Sequence, residues 1–384
     1  MKGLRVGIDA WGLARDGLCS GMGQYTASLL RWVPATTSVE VVAYGAPGEE
    51  RPGWLPSSVE WRVPPTGWVG RLDAIRSRLR WLPDAVVTDG VDVFHTPGVH
   101  VRPSLPPVAT VRCPLVVTIH DVIPLSHYGS SLPARNRAFY SWNLRRAAAA
   151  DRTLTVSESA KADIERLADV DASRIEVVRS AVDFRPNPDR APLLRRGVTG
   201  EYILYAGSYE PRKNLVGMLH AFERFATAGG RHSLVAITER ESGHSEVVHS
   251  TLRALACRDR VQLVHSVPEQ ELRALYTHAS AVVFPSLAEG FGLPPIQAAA
   301  CGVPVVVSDL PVFRETVGEI AVVSRAGDTA SLLEALSRAT MDETVRARAS
   351  VLGPAVAARY SPESCAARHA QVYSCCHERR HALA

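Results

Sequence analysis

Short, unbroken apolar runs alternate along the chain with longer stretches whose apolar residues recur every three or four positions. In the first half the runs fall at 4–10 (LRVGIDA), 39–45 (VEVVAYG), 91–96 (VDVFHT), 114–121 (PLVVTIHD), 152–157 (RTLTVS) and 175–180 (IEVVRS). The second half continues with 202–208 (YILYAGS), 233–238 (SLVAIT), 261–267 (VQLVHSV), 281–286 (AVVFPS), 304–309 (PVVVSD) and 320–324 (IAVVS). Runs that are apolar throughout predict parallel strands covered on both faces. The spacing between them predicts helices over 22–32, 134–149, 158–168, 214–226, 269–278 and 329–339, with a short alanine-rich one from about Pro294. Strand–helix alternation from end to end implies right-handed crossovers and an α/β fold of doubly wound sheets.

One sheet could hold twelve such strands, but residues 183–201 (DFRPNPDRAPLLRRGVTGE) interrupt them with proline, arginine and aspartate and no periodicity. The stretch reads as a linker over 184–200. It divides the chain into Rossmann-like domains at 1–183 and 201–359. Two such domains facing each other create a cleft at the carboxyl ends of both sheets, where ligands bind in this class of fold. At 384 residues, two domains are also the expectation from size alone.

Composition narrows the function. Charge is nearly balanced, 43 basic against 39 acidic residues, which argues against a nucleic-acid partner. No apolar stretch is long enough to span a membrane, and the N-terminus enters a strand without a signal-peptide core, so a cytoplasmic protein is expected. Residues 135–146 (RNRAFYSWNLRR) mix arginine with aromatics and leave peripheral membrane contact open beside an ordinary amphipathic helix. The seven cysteines lack C-x-x-C spacing, so neither a disulfide framework nor a zinc cage is expected. Cys375, Cys376, His377 and His381 near the terminus suggest a metal at first sight. No second ligand cluster accompanies them, and a frayed tail explains them as well. No metal and no cofactor are expected.

Only three lysines occur, Lys2, Lys161 and Lys213, in an arginine- and alanine-rich chain whose coding bias suggests a GC-rich bacterial source. Lys213 lies in YAGSYEPRKN, where Gly207 and Ser208 end a strand and Arg212 and Lys213 precede a helix expected near Asn214. Two cations beside a helix N-terminus oppose its dipole unless an anion neutralises them, which points to a phosphate clamp rather than a solvated loop. Gly21 and Gly23 in SGMGQYTASLL let backbone approach an anion at a helix start, though the same pair serves a plain turn. In PSLAEGFGLPPIQAAACG, Glu289 ends a strand, and Phe291, Gly292 and Leu293 open a helix that carries Gln297. A carboxylate in so apolar a stretch needs a partner. His120 stands at a strand end in TIHDVIPL, and His95 occupies a similar place with a weaker claim.

These motifs together resemble the family 4 retaining glycosyltransferases of GT-B fold, over nearly the whole chain. GIDAWGL, SGMGQYT, TIHDVIPL, TVSESAKADI, YAGSYEPRKNL, VVFPSLAEGFGLP, CGVPVVVSD and YSPESCAARHAQVY carry the likeness, and E-P-R-K-N is similar to a segment of bacterial mannosyltransferases. The resemblance implies that Arg212 and Lys213 hold the donor diphosphate, and that Glu289 lies near the donor sugar and phosphates. By the same likeness, Phe291, Gly292 and Leu293 hold sugar hydroxyls and phosphate through backbone groups. His120 falls beside the transferred sugar, and the loop Gly21–Gly23 falls near the phosphates and acceptor. It further implies that 360–384 packs back on the N-terminal domain, which takes the acceptor, while the C-terminal domain takes the nucleotide sugar. Catalysis would retain configuration without a metal, with the diphosphate helping to remove the acceptor proton.

Departures from the family pattern sharpen the expectation. Gln297 stands where the family's second acid accepts from both ribose hydroxyls, and an amide keeps one acceptor and adds a donor. That suits a deoxyribonucleoside such as dTDP. RSAVD at 179–183, SLVAITERESG and His265 replace usual Asn-Gly and glycine positions. The expected function is transfer of a sugar from a nucleoside diphosphate to a small-molecule or glycan acceptor, as in aminoglycoside antibiotic assembly. The alternatives are a GDP-mannose-type transferase of surface polysaccharide and a catalytically silent sugar-nucleotide-binding relative. An epimerase would share the fold but not these motifs. The acceptor-binding residues are not legible.

Overall fold

The computed structural model describes residues 3–383 except 12, 14–19, 66–76, 102–107, 129–131, 169 and 239–242. Among these, the chain divides into two compact units, Met1–Ala181 with Ser361–Ala384, and Val182–Tyr360.

In the first unit β1 (Arg5–Asp9), β2 (Glu40–Tyr44), β3 (Glu60–Arg62), β4 (Val93–Thr96), β5 (Leu115–Thr118), β6 (Arg152–Thr155) and β7 (Ile175–Val177) form one sheet. Their order is β3-β2-β1-β4-β5-β6-β7, and neighbouring strands are parallel. Six of these strands lie inside the apolar runs. The seventh, β3, is three half-buried residues at the sheet edge, too short and too polar to give a run. Its Glu60 is held by Arg5 at 2.5 Å and Arg62 at 2.6 Å, so ion pairs take the place of a buried face.

The second unit contains β8 (Tyr202–Ala206), β9 (Ser233–Thr238), β10 (Val261–His265), β11 (Ala281–Phe284), β12 (Val305–Ser308) and β13 (Ala321–Ser324). They are parallel in the order β10-β9-β8-β11-β12-β13. Ile203, Tyr205, Val283 and Val306 of this sheet pack with Phe222 and Leu336 of flanking helices in one buried core. The central strands β8, β11 and β12 are buried along their whole length, whereas the edge strands β10 and β13 are partly exposed.

Both sheets reverse direction once. The chain runs outward from β1 through β2 and β3, then returns to lay β4 on the far side of β1. It repeats this with β8, β9, β10 and β11. The loops leaving β1 and β4, and those leaving β8 and β11, thus diverge and open a crevice at the strands' carboxyl ends.

Residues 184–200, read above as a linker, lie within the second unit. Asn187 donates to Gln270 O at 2.9 Å, Arg196 pairs with Glu271 at 2.5 Å, and Phe184 packs on Tyr276. A five-residue helix, Ala191–Arg195, and such single anchors give no periodicity to read. The closing helix extends over Pro362–Leu383 and belongs to the first unit, against Gly21–Thr36. The tail expected to fray is instead helical, with Cys375 exposed and Cys376 buried. Among the described residues no three metal-binding side chains come together, and no helix is long and apolar enough to cross a membrane. The helix Ala134–Ala148 turns Tyr140, Leu144 and Ala147 inward and leaves Trp142 exposed.

Candidate active site

The second unit's crevice holds a cluster of ion-paired side chains, Glu210, Arg212, Lys213 and Glu289. Ala206 ends β8, and the chain then passes Gly207 and Ser208 into a single turn, Pro211–Lys213, closed by Asn214 in the left-handed region (φ 55°). The helix begins only at Leu215, so Arg212 and Lys213 belong to a turn of their own rather than to the helix start. A side chain at Gly207 would bring its Cβ within 2.7 Å of the Tyr205 hydroxyl. That hydroxyl must pass beneath the loop, where it lies 3.2 Å from Lys213 O and can donate to it.

From β11 the chain delivers Glu289 to the same point. Arg212 Nη1 donates to Glu289 Oε1 at 3.0 Å, Lys213 Nζ donates to the same oxygen, and Ser286 Oγ donates to it at 3.4 Å. The two loops are tied again by Leu287 N donating to Arg212 O at 2.6 Å. Arg212 also pairs with Glu210 at 2.7 Å, and the Lys213 ammonium sits 4.6 Å over the Phe284 ring. Burial pushes the Glu289 carboxyl up, but Lys213 and Arg212 more than offset this and hold it below its ordinary value. The carboxylate is charged at neutral pH, with both cations drawn to one oxygen.

Beyond Glu289 the chain turns at Gly292 (φ 87°) into the helix Leu293–Ala300. Only glycine fits this turn, since an added Cβ would also meet Phe313 at 2.7 Å. Phe291 is buried with its ring on Tyr360. Gln297 is half-buried one turn along that helix.

In the first unit, β1 ends on Asp9, and the helix Gly21–Thr36 is capped by Ser20 Oγ accepting from Gly23 N at 2.9 Å. Asp9, Met22, Gly23, Thr26, Pro97, Gly98 and His100 line a small pocket where the loops after β1 and β4 part. Asp9 is paired with Arg78, a buried arginine that the sequence did not single out. An added Cβ at Gly21 would meet nothing, so packing does not require that glycine.

His120 follows β5. Its Nε2 lies 2.8 Å from Pro97 O, an acceptor only, so Nε2 carries the proton and Nδ1 keeps its lone pair. Burial lowers its pKa to about 4, so the ring is neutral at physiological pH. His95 is fully buried with both nitrogens engaged, by Tyr373 at 2.7 Å and Thr118 at 2.8 Å, and has nothing to offer a ligand. The structure thus gathers Arg212, Lys213 and Glu289, with Gly207, Ser208 and the Phe291–Leu293 turn on the same two loops. Gly21, Gly23 and His120 lie in the first unit. Sequence reasoning missed Tyr205, Ser286, Tyr25 and His369, although each falls within one of the quoted motifs.

Two family models match the chain. Residues 19–185 match Glycosyltransferase Family 4, and residues 194–351 match Glycosyl transferases group 1. The chain belongs to the family 4 glycosyltransferases. The chain is 29% identical to O-antigen chain mannosyltransferase B of Escherichia coli over 226 residues, 57% of the chain and 59% of that relative. It is 29% identical to O-antigen chain mannosyltransferase RfbU of Salmonella typhimurium over 201 residues, 52% of the chain and 53% of the relative. The chain therefore spans little more than half the length of these relatives. Its fold is similar to sucrose-phosphate synthase from Thermosynechococcus elongatus, with a TM-score of 0.76 at 17% identity and coverage of 97% and 98%. It is also similar to HepE of Anabaena in complex with UDP and glucose, with a TM-score of 0.71 at 17% identity and coverage of 97% and 100%. These likenesses place both units in the GT-B architecture.

Proposed function

We propose that this protein transfers a glycosyl group from a nucleoside-diphosphate sugar to a hydroxyl of a hydrophilic acceptor. The transfer takes place in the bacterial cytoplasm, with retained configuration and no bound metal. One observation carries this reading: Arg212 and Lys213 converge on a single carboxylate oxygen of Glu289 at the switch point of the second sheet. A diphosphate presents several such oxygens and more charge, so it draws the same cations away from Glu289.

As the bond from the anomeric carbon to the β-phosphate oxygen breaks, negative charge grows on the leaving diphosphate. Arg212 and Lys213 stabilise that charge, which is why they matter most in the transition state. The acceptor oxygen bonds to the anomeric carbon on the same face, and its proton passes to the departing phosphate. Glu289, released from the cations, accepts from a sugar hydroxyl, and in the first unit the neutral His120 presents Nδ1 as an acceptor for a sugar hydroxyl. Backbone N–H groups at Phe291, Gly292 and Leu293 open a helix and suit an anion.

Gln297 carries the finer reading. It offers a nucleoside one acceptor oxygen where a carboxylate would offer two, which favours a deoxyribonucleoside donor such as a dTDP-deoxysugar. A small hydrophilic acceptor, as in aminoglycoside antibiotic assembly, fits such a donor. The names of the two bacterial relatives favour a second reading, a GDP-mannose-type transferase of surface polysaccharide.

The test is a panel of dTDP-, UDP- and GDP-sugars against aminocyclitol and lipid-linked glycan acceptors, run in EDTA, with the product's anomeric coupling read by NMR. Transfer with retention in EDTA is expected. An inverted product, or a strict need for Mg²⁺ or Mn²⁺, overturns the mechanism. Diphosphate binding without transfer from any donor identifies a silent sugar-nucleotide-binding protein instead.

A further inference from the structure

Beneath the closing helix of the first unit lies a polar cluster that the reaction above does not use. Tyr25, His95, Thr118, His369 and Tyr373 are all at least 97% buried. Their contacts form one continuous chain. Tyr373 Oη lies 2.7 Å from His95 Nδ1, and His95 Nε2 lies 2.8 Å from Thr118 Oγ1. Thr118 Oγ1 lies 3.0 Å from Tyr25 Oη, and Tyr25 Oη lies 2.7 Å from His369 Nε2. The chain ends where His369 Nδ1 meets Cys365 O at 2.7 Å.

That last contact sets the direction of every other. A carbonyl oxygen only accepts, so His369 Nδ1 donates. Burial lowers the His369 pKa to about 4 and pushes that of His95 well below its ordinary value, so both rings are neutral at physiological pH. Burial likewise raises Tyr25 and Tyr373, which keep their protons. A neutral His369 then accepts at Nε2 from Tyr25. With its proton committed, Tyr25 Oη accepts from Thr118, and Thr118 Oγ1 in turn accepts from His95 Nε2. His95 Nδ1 accepts from Tyr373. Every proton has one place, and the chain starts and finishes on the same helix, Pro362–Leu383. It runs through β4, β5 and the helix Gly21–Thr36.

The Tyr25 ring, pinned by these bonds, stands edge-on to His120 at 4.8 Å between centroids and 89° between planes. Among the described residues His120 is otherwise held by one hydrogen bond, to Pro97 O. A ring with a single hydrogen bond can swing about it, and the Tyr25 edge blocks that swing.

We propose that His369 and Tyr373 are positioning residues: through Thr118 and Tyr25 they hold the His120 ring in the plane that presents its Nδ1. This rests on the reading of His120 as a sugar-hydroxyl acceptor. The closing helix is therefore part of the donor machinery, and His369 does its work without touching substrate. A sub-ångström drift of His120 is enough to weaken a hydrogen bond that must form in the transition state.

The test compares His369→Leu, His369→Gln and Tyr25→Phe in the full-length protein. Gln retains an acceptor for Tyr25, while Leu does not, and Tyr25→Phe keeps the ring volume while removing the central hydroxyl. With ¹⁵N-histidine labelling, the wild-type His120 Nε2–H signal is expected to be sharp, and to broaden or exchange about tenfold faster in His369→Leu and Tyr25→Phe. kcat is expected to fall about tenfold in both, with donor KM within about twofold, and to recover largely in His369→Gln. In a His120→Ala background, His369→Leu should cost almost nothing more. An unchanged His120 signal in both variants overturns the proposal, as does an undiminished His369→Leu effect in the His120→Ala background. The NMR arm needs no turnover, so a protein that transfers no sugar counts against the proposed reaction alone.

Discussion

Lys213→Met is the most informative single change, because it separates two roles that one side chain plays. Lys213 is a counter-ion of Glu289, whose side chain is 9% exposed. Methionine keeps an apolar stem over Phe284 but removes the ammonium. Breaking a buried ion pair outright costs about 3–5 kcal/mol, because it strands a charge. Here Glu289 retains Arg212 at 3.0 Å and Ser286 at 3.4 Å. The expected loss is therefore that of one charged hydrogen bond, about 1.5–3 kcal/mol.

The pH dependence follows from the carboxyl. Its folded-state pKa lies below the ordinary value of 4.5, so its contribution is fully present above pH 4.5 and is lost as pH falls through the folded value. Removing Lys213 shrinks that depression. The stability gap between wild type and variant should be widest near neutral pH and close below pH 4.5. Catalysis is a separate account. If Lys213 meets the leaving diphosphate, its loss removes a transition-state donor worth about 2.7–4 kcal/mol, or about 10²–10³ in kcat. Urea denaturation at several pH values and steady-state kinetics with saturating donor measure the two effects. A variant that is destabilised as described yet turns over at the wild-type rate would refute the clamp, leaving a purely structural ion pair.

Two further outcomes follow from the same loops. Gln297→Glu restores a second acceptor and a charge, so competition titrations should shift preference from dTDP toward UDP and GDP by about 1 kcal/mol or more. A wild-type protein that already prefers GDP or UDP tenfold would sink the deoxyribose argument. Gly292→Ala forces a side chain into φ 87° and against Phe313, and should lower stability by at least about 1–2 kcal/mol in urea denaturation. An unchanged midpoint would mean that the turn does not hold this conformation.

The twelve apolar runs were enough to place twelve strands and the two-sheet α/β class, because a strand buried on both faces shows its burial in every residue. The second unit's cluster was legible too. Glycine, proline and charge at strand ends are local features, and Arg212, Lys213 and Glu289 each sit in a stretch that looks odd on its own. Tertiary structure decided the rest. The short strand Glu60–Arg62 is held by ion pairs from residues far along the chain, which no local pattern can show. Residues 184–200 have linker composition but are anchored at single points to the second unit. The sequence ranked His120 above His95 but held no physical reason for it, since both stand at the ends of apolar runs. Only the fold brings Tyr373 and Thr118 onto His95 while, among the described residues, His120 keeps a single bond, through Nε2. Periodicity reports which residues are buried. Which buried polar group meets which partner depends on contacts between elements hundreds of residues apart, here 344 positions between Tyr25 and His369.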